Sequence, residues 1–132
     1  KVKEKFTKFY DEHIKAISSF QKKHLINHGV KYKHITNEKV NTISIKELIF
    51  NNNFTDLDLL YLDVEGYDGE IVKDLLITTD VRPFIIFEFI HINNTILNDL
   101  LKKFDKKKYK IIQIKENIFC FPKSKSLKIK FI

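Results

Sequence analysis

The sequence predicts an α/β fold with parallel strands, and three observations carry the prediction. Asp58 to Val64 and Phe84 to Ile90 are two almost continuously apolar runs of strand length, the pattern of strands covered on both faces. Between them, Ile71, Val72 and Leu75 fall at helical spacing within Gly69 to Leu76. Strand, helix and strand within about 30 residues make a βαβ unit, whose strands run parallel through a right-handed crossover.

The elements follow in chain order. From Val2 to Leu25, Phe6, Phe9 or Tyr10, Ile14, Ile17 and Phe20 recur every three to four residues, with Lys and Glu on the other face, which predicts an amphipathic helix. Asn27-His28-Gly29 stops it, because Gly29 can take the left-handed conformation that closes a helix. Such a stripe ordinarily packs on a core, and binding to a membrane surface or a partner is its other use. The expected organisation is therefore a helix over 1–29 and an α/β part over 30–132. Val30 to Ile35 reads as a short strand. Ser44 followed by Glu47 is a capping box that starts a helix at Ile45, and Asn51-Asn52-Asn53 ends it. The two buried strands and their helix come next, joined by Thr78-Thr79-Asp80 and by Arg82-Pro83, which biases the entry to extended backbone. A helix is expected over Thr95 to Phe104. Strands follow at Tyr109 to Ile114 and Asn117 to Phe121, turning at Lys115-Glu116-Asn117. The expected sheet is mostly parallel with a closing antiparallel hairpin, and the tail from Lys123 to Lys130 reads at most as an edge strand.

Composition excludes several classes. With 132 residues, 43% of them hydrophobic and 31% charged, the chain is neither disordered nor fibrous, and one core of ordinary size is expected. The net charge of +7 prompts a search for nucleic-acid binding. Only one basic residue is Arg, Arg82, and the abundance of Lys, Asn, Ile and Phe matches an AT-rich codon bias, whereas specific nucleic-acid interfaces lean on Arg forks. Nucleic acid is not the favoured partner. The lone Cys120 sits in an apolar run and needs no oxidising compartment, which favours a cytoplasmic setting. The longest apolar stretch, Pro83 to Ile92, is broken by Glu88 and His91 and falls short of the roughly 18 to 20 residues of a membrane span. Methionine is absent, so the chain is expected to be processed or a piece of a longer one.

In an open parallel sheet, ligands sit beyond the carboxyl ends of the strands. Those ends are acidic here: Asp63 and Glu65 close the first buried strand, and Glu88, followed by His91, closes the second. Asp63 and Glu65 share a face by alternation, and a neighbouring parallel strand brings Glu88 near them. Gly66 and Gly69 bracket the turn and permit close backbone approach or positive φ. Each residue also has a plainer role. Asp63 or Glu65 alone would suit a cap for the next helix, and His91 suits a satisfied structural histidine as well as a catalytic or metal-binding one. Glu88, between two phenylalanines, needs a partner or ligand. His13, His24, His28 and His34 read as surface histidines.

Three stretches together resemble FkbM-type methyltransferases. They are Val40-Asn-Thr-Ile-Ser-Ile-Lys-Glu-Leu48, Leu57 to Ile71 with its Asp-Val-Glu-Gly-Tyr-Asp core, and Arg82-Pro-Phe-Ile-Ile-Phe-Glu-Phe-Ile-His91. Tyr109 to Cys120, with Asn117, is similar to the family's closing segment. The resemblance covers about Val40 to Phe121 and implies the C-terminal part of a Rossmann-like class I fold. It also implies methyl transfer from S-adenosylmethionine, usually to a hydroxyl oxygen of a sugar, glycan or other small molecule. On it, Asp63, Glu65, Glu88 and His91 carry catalysis, and Asp63 with Gly66 contacts the cofactor. The family's Gly-rich first turn and ribose-holding acid have no counterpart here, so the expectation is a partial domain. A divalent ion on Asp63, Glu65 and Glu88 is the second choice for activating the acceptor. The competing function is a non-catalytic binding or scaffolding module derived from that fold.

Overall fold

The computed structural model describes residues 19–20, 22–64 and 66–125. The chain divides into two compact units, one up to Asn41 and one from Thr42 onward.

In the first unit, α1 spans Lys22–Asn27. Most of the amphipathic helix expected from Val2 lies outside the described residues. Its stop is as expected: Gly29 has φ +82°, the Gly29 N–H donates to Ile26 O at 3.0 Å, and the Val30 N–H donates to Leu25 O at 3.0 Å. That bond pair closes a helix around a left-handed residue. His24 is buried rather than on the surface, its ring centroid 4.2 Å from that of His28. The strand expected over Val30 to Ile35 is instead a 3₁₀ turn, Tyr32–His34. Two of its amides are bonded locally, His34 N–H to Lys31 O and Ile35 N–H to Tyr32 O, as a turn and not a ladder.

The second unit begins with α2, Ile45–Asn51, capped reciprocally. The Glu47 N–H donates to Ser44 Oγ at 3.1 Å, and the Ser44 N–H donates to Glu47 Oε2 at 2.8 Å. Asn53, at φ +56°, ends it. Then come β1 (Leu59–Leu62), α3 (Asp68–Thr78), β2 (Phe84–Glu88), α4 (Asn94–Lys106), β3 (Tyr109–Ile114) and β4 (Asn117–Pro122). The turn between the last two strands is Lys115-Glu116, with Lys115 at φ +53°, the positive value that two-residue hairpin loops require at their first position.

The sheet order is β1-β2-β4-β3. The βαβ expectation holds, since β1 and β2 pair in parallel. A mostly parallel sheet does not: β4 pairs antiparallel with both β2 and β3. The reason is the hairpin. Its second strand turns back and inserts beside β2, so two of the three pairings reverse.

The helices cover one face of this sheet. Leu62, Ile85, Phe87, Ile118 and Cys120 pack with Ile45 and Ile49 of α2, Val72, Leu75 and Leu76 of α3, and Leu100 and Phe104 of α4. On the opposite face Leu59 is 50% and Tyr61 60% exposed, so β1 is not covered on both faces as its apolar run implied. Arg82 serves the fold: its Nη1 donates to Thr79 O at 2.9 Å and to Val81 O at 2.8 Å, tying off the end of α3 before β2 begins.

Two measurements check this architecture. Phe87→Ala, which empties a wholly buried site beside Phe104, is expected to cost about 3–5 kcal/mol in denaturant unfolding. Backbone and side-chain hydrogen bonds from Ser44 hold the Glu47 carboxyl below its ordinary value of 4.5. The capping contribution is therefore complete above that pH and is lost as pH falls through the lower folded value. Glu47→Gln is expected to remove this part of the acid limb of stability.

Candidate active site

β1 and β2 end side by side, and their register decides what shares that edge. The ladder ends with Leu62 level with Phe87, so Asp63 and Glu88 each follow that last pair at the carboxyl edge. Alternation then assigns a face. Because Phe87 faces the helices, Glu88, the next residue of β2, falls on the opposite side. On the other flank of β2, Asn117 is registered with Glu88, and the Phe89 N–H donates to Glu116 O at 3.0 Å.

The chain turns back at once after β2. The Ile92 N–H donates to Phe89 O at 3.0 Å, and this tight turn returns His91 toward the strand end. His91 Nε2 lies 3.8 Å from Glu88 Oε2, with the side chains 28% and 21% exposed. That separation exceeds a hydrogen bond yet keeps the carboxylate within attraction of an imidazolium. A half-exposed histidine beside an acid can take a proton from a bound hydroxyl while the acid steadies the resulting charge.

Gly66 brings the β1 loop to this pair. It has φ +94°, and a Cβ placed on it would lie 3.2 Å from His91 Cβ and 3.7 Å from His91 O. Glycine is needed here for conformation and for space. Asp63 is exposed immediately after β1, and Glu65 lies outside the described residues. Asp63 and Glu88 belong to no group of three ligating side chains close enough to share an ion among the described residues, so the divalent-ion alternative gains no support.

One residue at this edge was not among those expected. Asp68, the first residue of α3, is wholly buried, and neither carboxylate oxygen has a hydrogen-bond partner. A signal for it was present: Asp68 precedes Val72, Leu75 and Leu76 by four, seven and eight residues, the spacing of one helix face. It is an acid at a core position. Asn117 likewise figured only as part of the closing segment.

Gly66→Ala tests the close approach. A Cβ at positive φ costs roughly 1–2 kcal/mol, and the contact with His91 adds to it. The expected result is a lower urea midpoint together with altered ring-proton shifts of His91.

No curated protein and no solved structure matches the chain. The family profile described as the methyltransferase FkbM domain matches residues 2–111, a span that includes the βαβ unit and the acids, glycine and histidine assembled at its carboxyl edge. Among the described residues, no helix is long and apolar enough to cross a membrane. The matched span runs over most of the chain and contains Asp63, Gly66, Glu88 and His91, and on that match the chain belongs to the FkbM methyltransferase domain family.

Proposed function

We propose that this domain transfers a methyl group from S-adenosylmethionine to a hydroxyl oxygen of a sugar or other small molecule. The observation that carries the reading is the Glu88–His91 pair, 3.8 Å apart, at the edge where β1 and β2 end side by side. Oxygen methylation needs the acceptor held in line and its proton removed, so positioning supplies most of the effect and a base the remainder.

His91 is the base, taking the acceptor's proton at a ring nitrogen as the new oxygen–carbon bond forms. Glu88 steadies the imidazolium through its charge. Asp63 orients the acceptor hydroxyl through a hydrogen bond. The acidic edge fits S-adenosylmethionine in charge, since that molecule carries a sulfonium and an ammonium group; Asp63 and the backbone at Gly66 would hold it. When bound, the cofactor would supply an electrophilic methyl group, its sulfur–methyl bond breaking as the oxygen–carbon bond forms and the neutral thioether S-adenosylhomocysteine departing.

The test is transfer of tritiated methyl from S-adenosylmethionine to a panel of sugars and simple alcohols. His91→Ala is expected to lose roughly 10²-fold or more in kcat, and Glu88→Gln to lose less, with unfolding midpoints near the parent's. A second reading, a binding module without catalysis, is favoured by the open sheet face at Leu59 and Tyr61. Failure of the parent chain to methylate any acceptor would leave that reading in place.

A further inference from the structure

We infer that Asp68 is a ligand-contact residue of this site, its carboxylate accepting a hydrogen bond from a hydroxyl or ammonium group of the cofactor or of the acceptor. The inference rests on the methyl-transfer reading and adds to it a role for Asp68, which closes the Asp-Val-Glu-Gly-Tyr-Asp stretch and was not among the expected site residues.

The first observation is energetic. Asp68 is fully buried, and both its oxygens lack a partner. Burying a carboxylate without hydrogen bonds or an opposite charge is strongly unfavourable, and an orphaned buried group of this kind calls for a specific explanation. A capping role does not provide one, because a cap accepts from the N–H groups of the first turn and Asp68 accepts from none. An apolar residue would continue the stripe of Val72, Leu75 and Leu76 and would suit the fold better.

The second observation is placement. In a βαβ unit the helix runs back against its strands, so the first turn of α3 stands over the carboxyl ends of β1 and β2. Asp68 is on the sheet-facing stripe of that turn. The residues on either side of it are in contact with the loop after β2. Gly66 abuts His91, and a Cβ on Gly69 would lie 3.1 Å from Ile92 Cγ2 and 3.1 Å from Ile96 Cγ2. The first turn of α3 therefore starts at the same carboxyl edge as Glu88 and His91, with Asp68 on the face that the helices cover. Its oxygens are sealed from bulk water, so a ligand group reaches them only by displacing what packs over the turn. The donor then replaces hydration with a bond made away from solvent, where such bonds discriminate most strongly.

The parent chain, Asp68→Asn and Asp68→Leu are compared by thermal melting without additions, and by calorimetric titration with S-adenosylhomocysteine. A panel of sugars and polyols is then titrated in its presence. Both variants are expected to melt at or above the parent and to lose tenfold or more in affinity for one probe. Loss for S-adenosylhomocysteine places the donor on the cofactor, and loss for a polyol places it on the acceptor. Variants that melt several degrees lower would show Asp68 to be paired within the fold and would overturn the inference. Unchanged affinity for both probes would overturn it while leaving methyl transfer standing. A parent chain that binds neither probe would overturn the methyl-transfer reading, and this inference with it.

Discussion

The second unit is registered to one strand. Ile85 and Phe87 of β2 are completely buried against the helices, and β1 and β4 bond to either side of them. A strand alternates with period two, so sliding β2 by a single residue would expose both and bury Phe84 and Glu88 instead. Their burial therefore fixes which way Glu88 faces. The same constraint reaches the hairpin: Phe87 stacks on Phe104, Phe104 meets Tyr109 edge-on, and the Tyr109 hydroxyl donates to Pro83 O at 3.0 Å. Enclosure pushes the Tyr109 pKa up to about 12, so this link stays a neutral donor through the physiological range.

The carboxyl edge holds a glycine at positive φ pressed on His91, an acid–histidine pair at partial exposure, and an acid at a core position. Away from that edge the local choices agree with the fold: Ser44 and Glu47 cap reciprocally, and Asn93 caps α4 by accepting from the Thr95 N–H. Departures from local rules also occur elsewhere, at Asn53 and Lys108 with positive φ, but a buried acid on a helix face is the costliest of them.

Elements set by neighbouring residues were legible in the sequence. Ser44 and Glu47 start α2, Gly29 ends α1, and Lys115-Glu116 turns the hairpin, because caps and turns are chosen by side chains a few residues apart. What depended on distant partners was less so. The apolar run at Leu59 to Leu62 reported hydrophobicity and not which neighbours would cover it, and half of it is exposed. Nothing local in Asn117 to Pro122 says that this strand enters between β2 and β3. Glu88 and His91 were legible as neighbours at a strand end because their positions lie three apart in the sequence, while the turn that brings them together was not. Asp68 was missed because a helix face is recognised by its apolar members, and an acid on that face is easily assigned to solvent.

Cys120 lies at the centre of the sheet on β4, 1% exposed, and burial holds its thiol well above the ordinary range. It is the chain's sole cysteine. A thiol reagent can reach it only when the second unit opens, so the rate of labelling becomes a clock for that opening. The chain thus carries an intrinsic probe of its own breathing, one that needs no substitution and that reports on the strand bonded directly to β2.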